Sequence, residues 1–75
     1  MTSLKFELAG EFIELHKLLK VVGLCESGGA AKSMIADGGV RVNGAVELRK
    51  GCKIRIGQVV ALDGATIKVV SPTLD

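Results

Sequence analysis

Residues 15–44 read LHKLLKVVGLCESGGAAKSMIADGGVRVNG, two helical patterns and the opening of a sheet, each with its own stop signal. Leu15, Leu18, Leu19 and Val22 fall at i, i+3, i+4 and i+7, one face of a helix. That helix is predicted over residues 11–22. Glu11 and Glu14 stand at its N-terminal end and Lys20 near its C-terminal end, as the helix dipole favours. His16, Lys17 and Lys20 share a second face. Gly23 is the expected stop. Ser27 then reads as the N-cap of a second helix, roughly 28–37, with Ala31, Met34 and Ile35 inward and Lys32, Ser33 and Ala36 outward. Gly38-Gly39 ends it. Two short helices joined by so few residues predict an αα-hairpin.

Outward from this stretch the period changes to two. Leu4, Phe6 and Leu8 alternate with Lys5 and Glu7, a half-buried strand broken by Gly10. Val40 and Val42 alternate with Arg41 and Asn43, and Asn43-Gly44 is a two-residue hairpin signal. Further strands are expected over Val46–Leu48, over Cys52–Ile56 and, more fully buried, over Val59–Leu62. Gly57-Gln58 turns the chain, Asp63-Gly64 signals a second hairpin, and Ile67 and Val69 alternate with Lys68. The tail from Ser71-Pro72 onward is expected to fray. The expected architecture is α+β: a helical hairpin packed on a small, mostly antiparallel β-sheet, one domain over residues 1–75.

A chain of 75 residues that is 48% hydrophobic has a core to build, although so short a domain buries only about 60% of its unfolded surface. Phe6 and Phe12 are its aromatic side chains apart from His16, so the core is aliphatic. No apolar run approaches the roughly 20 residues of a membrane span. The start of the sequence carries no signal-peptide pattern, and a cytoplasmic protein is expected. There Cys25 and Cys52 are expected as reduced thiols rather than a disulfide.

The inventory argues against catalysis. His16 is the single histidine, and its neighbours at helical spacing, Phe12, Ile13, Leu19 and Lys20, supply neither a nucleophile nor an orienting carboxylate. Cys25, Cys52 and His16 lack zinc-site spacing, so no metal and no cofactor is expected. Ser27, Gly28, Gly29 and Lys32 use the vocabulary of a phosphate loop. A Walker loop, however, needs four residues between its glycines and Lys-Ser directly after the second. Here the glycines are adjacent and Lys32-Ser33 lies two residues beyond them. What survives is physical. A helix beginning at Gly28 has free N–H groups and partial positive charge at its first turn, with no side chain in the way. The plainer reading is a tight inter-helix turn.

Charge is unevenly spread. Residues 16–55 carry eight bases against three acids, +5, while the two ends together stand at −3. Chance clustering on a solvated surface competes with a polyanion-binding face.

The quoted stretch resembles the RNA-binding domain family named for small-subunit ribosomal protein four. The resemblance is carried by Leu15, Leu18, Leu19, Gly23, Leu24, Ala31, Ile35, Gly38, Val40, Val42, Asn43 and Gly44, and by KGCKIRIGQVV at 50–60; it spans about residues 13–62. It is closest to the stand-alone bacterial branch, through Ser27, Gly28, Gly29, Ala31 and Lys32 and through Arg49, Lys50, Gly51 and Lys53. It implies the alpha-L motif, and a non-catalytic module binding structured RNA, rRNA or tRNA, along a basic surface. Larger relatives carry arginines where this chain has Gly28, Ser33 and Ala36, an arginine and an aspartate where it has Glu14 and His16, and an acid where it has Gln58. Weight therefore shifts to Lys32 and the strand-borne bases. The expected phosphate contacts are Ser27, Gly28, Gly29, Lys32, Arg49, Lys50 and Lys53, flanked by Lys17, Lys20 and Arg41. With so few aromatics, recognition by shape is expected rather than base stacking. A monomer is expected. A protein-interaction module and a small anion-binding protein are the alternatives.

Overall fold

The structure, a computed structural model, describes residues 2–72. Asn43 and Gly44 take φ of +52° and +85°, the left-handed pair a two-residue hairpin requires, and Asp63 and Gly64 repeat it at +45° and +79°. The first turn joins β3 (Val40–Val42) to β4 (Ala45–Val46) and the second joins β6 (Val59–Leu62) to β7 (Ala65–Val70). Asn43 also fastens the hairpins together: its N–H donates to Val59 O at 2.8 Å, and its Oδ1 accepts from Val59 N–H at 2.9 Å.

With β1 (Thr2–Glu7), these strands form a five-stranded sheet in the order β1-β7-β6-β3-β4. Three neighbouring pairs are antiparallel, but β1 runs parallel to β7, with Leu4 beside Ile67 and Phe6 beside Val69. The sheet is therefore mixed. Val40, Val60, Leu62, Ile67 and Val69 point to one face and are buried. The strand predicted as more fully buried alternates instead: Val60 and Leu62 are inside, while Val59 and Ala61 are half-buried on the other face.

The inner face meets two helices that pack on each other, α1 (Leu15–Val21) and α2 (Gly28–Ala36). Leu15, Leu18, Leu19, Ala31 and Ile35 are fully buried in one cluster with the sheet residues. Truncating any of these leucines to Ala costs about 2–5 kcal/mol through lost transfer energy and the cavity left behind. Ser27 caps α2, its Oγ accepting from Ala30 N–H at 3.1 Å. Gly23 N–H closes α1 on Lys20 O at 3.1 Å.

The first helix is shorter than its sequence pattern. Residues 11–14 are not helical, and Ile13–Glu14 is a short strand, β2, paired antiparallel with β5 (Lys53–Ile54). The cause lies across the chain. Glu14 makes no side-chain cap; Leu15 N–H donates to Cys52 O at 2.9 Å and His16 N–H to Lys50 O at 3.1 Å. Backbone carbonyls of 50–52 thus satisfy the first amides of α1 and fix where it begins.

The segment between β4 and β6 is also less regular than expected. The strand predicted through Leu48 stops at Val46, and that predicted over 52–56 keeps only Lys53–Ile54. Side chains divert the amides: Glu47 Oε2 accepts Arg49 N–H at 3.0 Å and Gln58 Oε1 accepts Arg55 N–H at 2.6 Å. Ser71 and Pro72 lie beyond β7 and are exposed. The rest of the tail expected to fray, residues 73–75, lies outside the described residues.

Candidate functional site

Pairing β2 with β5 puts Glu14 beside Lys53, at the junction where α1 begins. Glu14 Oε1 is 3.1 Å from Lys17 Nζ. The hydrogen bond and charge of Lys17 hold the Glu14 carboxyl below its ordinary value, and the charge of Lys32 acts in the same sense. One half-buried acid is therefore bonded to Lys17, lies in the field of Lys32 and has Lys53 opposite it across the strand pair. These cations come from α1, α2 and β5, so it is the tertiary fold that gathers them.

The start of α2 is open. A Cβ on Gly28 would meet nothing within 4 Å, and one on Gly29 would meet only Ser27 Oγ at 3.8 Å. Neither glycine has positive φ. The fold therefore does not require glycine at either position, which weighs against the tight-turn explanation. Ser27 is committed as an acceptor to Ala30 N–H, with its hydroxyl proton left to donate. Lys32, one turn in, is exposed.

The other bases fall out differently. Arg49 is engaged with Glu47, through Nε to Oε2 at 3.0 Å and Nη2 to Oε1 at 3.3 Å. That pairing, with the Arg49 backbone N–H, pulls the Glu47 carboxyl down to about 2. The Lys50 side chain is exposed, while its carbonyl holds His16 by both the backbone N–H and, at 2.8 Å, the ring Nδ1. His16 therefore fastens the 50–52 loop to α1. Arg49, Gly51, Cys52 and Lys53 line an open hollow. Lys20 is exposed in the last turn of α1, and Arg41 does not join the group. It alternates with the buried Val40, so it lies on the outer sheet face, in a hollow with Ala61 and Thr66.

Two groups escaped the sequence reading. Phe12 is exposed, with Lys53 Nζ 4.9 Å and Arg55 Cζ 5.7 Å from its ring centroid. Glu47 enters the sequence reading as a strand residue and one of three acids in the basic segment, not as the partner of Arg49. The charge pattern drew attention to Arg55, but nothing local tied it to a residue more than forty positions away.

Both thiols are unsuited to nucleophilic work. Burial pushes Cys25 up, and burial followed by the Glu47 carboxylate pushes Cys52 up. Among the described residues no three His, Cys, Asp or Glu side chains converge as metal ligands, and no helix is long and apolar enough to cross a membrane.

Residues 6–70 match the family model described as the S4 domain. YbcJ of Escherichia coli (strain K12) is 52% identical over 59 residues, covering 79% of this chain and 84% of that protein. The "Probable ribosome maturation protein RlbA" of Bacillus subtilis (strain 168) is 37% identical over 54 residues, 72% of this chain and 76% of its own. A tyrosine–tRNA ligase of Ralstonia nicotianae is 41% identical over 56 residues, which cover 75% of this chain but 14% of the ligase. The solution structure of E. coli YbcJ, described as revealing an αL motif involved in RNA-binding, superposes with a TM-score of 0.65 at 45% identity, over 95% of this chain and 89% of that one.

Proposed function

The chain belongs to the S4 domain family, and from that premise we propose that it is a non-catalytic RNA-binding module. Its helices α1 and α2 act as the helical hairpin of an αL motif, and the whole chain works as one cytoplasmic, monomeric domain. The RNA is structured, ribosomal or transfer RNA. The observation that carries this reading is that the fold brings Lys17, Lys32 and Lys53 to one acid from three elements, with Lys32 one turn beyond a helix start whose two glycines answer no need of the fold.

The mechanism is electrostatic. A backbone phosphate approaches the first turn of α2, where Gly28 and Gly29 leave the N–H groups bare and Ser27 donates its hydroxyl. Lys32 supplies a full charge one turn away. Lys53 and Lys50 take neighbouring phosphates from the β5 side, and Arg49 joins once it exchanges Glu47 for a phosphate. Lys17 and Lys20 flank, while Arg41, expected from the sequence to flank as well, faces away on the outer sheet face. The absence of catalysis is supported by protonated thiols and by a histidine committed to Lys50 O.

Titration of a structured RNA across a salt series tests this. If roughly five phosphates are neutralised, log K falls against log salt with a slope of about −3.5 to −4.5. The paired variant Lys32→Ala/Lys53→Ala flattens that slope by about 1.5. No binding at low salt overturns the function. Unchanged binding by the pair overturns these two contacts.

A further inference from the structure

Phe12 is the aromatic the core does not claim. Phe6 packs against the core cluster, whereas Phe12 is 39% exposed at the entry to β2. Two cations lie over this phenyl ring and restrain it. Lys53 Nζ lies 4.9 Å and Arg55 Cζ 5.7 Å from its centroid. Arg55 is itself fixed, its backbone N–H donating to Gln58 Oε1 at 2.6 Å and its Nη1 to Glu11 O at 3.4 Å. The ring therefore keeps its position while a large part of it faces solvent.

We propose that Phe12, Lys53 and Arg55 form a stacking site for one unpaired RNA base. A ligand for this group needs a flat π-face with negative charge on either side, which describes a nucleotide within a single strand. The base stacks on the ring as a cation gives up that face to reach a phosphate. Lys53 and Arg55, two residues apart in sequence and both against the ring, take the phosphates that flank the base. A paired base inside a duplex offers no face to the ring. The site thus selects an RNA with a loop, a bulge or an end at this position, and refines the expectation of recognition by shape alone. This rests on the RNA-binding reading, with which it shares Lys53.

The chain has no tryptophan, so Phe12→Trp creates a single reporter. Two RNAs with the same stem serve as probes, one closed by a hairpin loop and one a blunt duplex. The protein is expected to prefer the hairpin by at least about tenfold, the scale of one stacked base. Phe12→Leu keeps the apolar bulk without the ring, and its preference falls toward unity. The indole emission of Phe12→Trp is quenched by the hairpin and not by the duplex. If Phe12→Leu keeps the full preference, or saturating hairpin leaves the indole unmoved, the stacking site is wrong while RNA binding stands. If the unaltered protein binds neither RNA, the RNA-binding reading itself falls and takes the stacking site with it.

Discussion

Two glycine-containing segments of this molecule serve different masters. Asn43-Gly44 sits at φ of +52° and +85°, where a side chain at the second position is strained and the hairpin depends on the conformation. Gly28-Gly29 opens α2 with ordinary negative φ and empty space around it. The first glycine is explained from within the chain. The second pair is not, and Lys32 follows it by one turn of the same helix. A glycine that folding does not need, kept where it weakens a helix, points to something that must approach from outside.

Three substitutions break or sharpen that contrast. Gly44→Ala forces a Cβ into the left-handed region and costs about 1–2 kcal/mol. A thermal melt should register it as a fall of roughly 5–15 °C. A melt within a degree of the original would mean the turn relaxes and the contrast is empty. Gly28→Ala should do the opposite, raising stability by about 0.5 kcal/mol because the site accepts Ala without strain. Its RNA affinity, read in the salt titration, should nevertheless drop severalfold. A variant both more stable and equally tight would return Gly28 to the status of an ordinary linker residue.

The smallest effect comes from Glu47→Gln. Folding lowers this carboxyl from 4.5 to about 2, so the stabilisation is present above pH 4.5 and is lost as pH falls toward 2. Arg49 is exposed although Glu47 is mostly covered, and solvent screening keeps the pair's contribution small. Urea midpoints at pH 6 and pH 3 should therefore draw together in Glu47→Gln relative to the unaltered protein. The same substitution releases Arg49, and the salt slope should steepen by up to about 0.9.

Local chemistry wrote the parts of the fold that could be read in advance. Ser27, the leucine stripe of α1, and the Asn43-Gly44 and Asp63-Gly64 turns each act within a few residues of themselves. The start of α1 was not readable, because its first amides are satisfied by carbonyls of Cys52 and Lys50. An alternating pattern in residues 4–8 predicts a strand without saying which neighbour it takes or in which direction. The candidate site follows the same rule. Lys32 and Lys53 stand out in the sequence, but Lys53 comes opposite Glu14 through the β2–β5 pairing and Lys32 comes near it through the packing of α2 on α1. Phe12 meets Arg55 only across more than forty residues of chain.

The partnership of β1 with β7 has a consequence in time. Thr2 lies beside Ala65 and Leu4 beside Ile67, so each register pair of these parallel strands spans sixty-three residues. On a ribosome the first strand emerges early and waits for its partner while nearly everything between them is translated. Both hairpins and both helices are local enough to form before it docks. The final closure is thus a slow, non-local event, and a nascent chain halted before β7 carries Leu4 and Phe6 with no sheet to receive them.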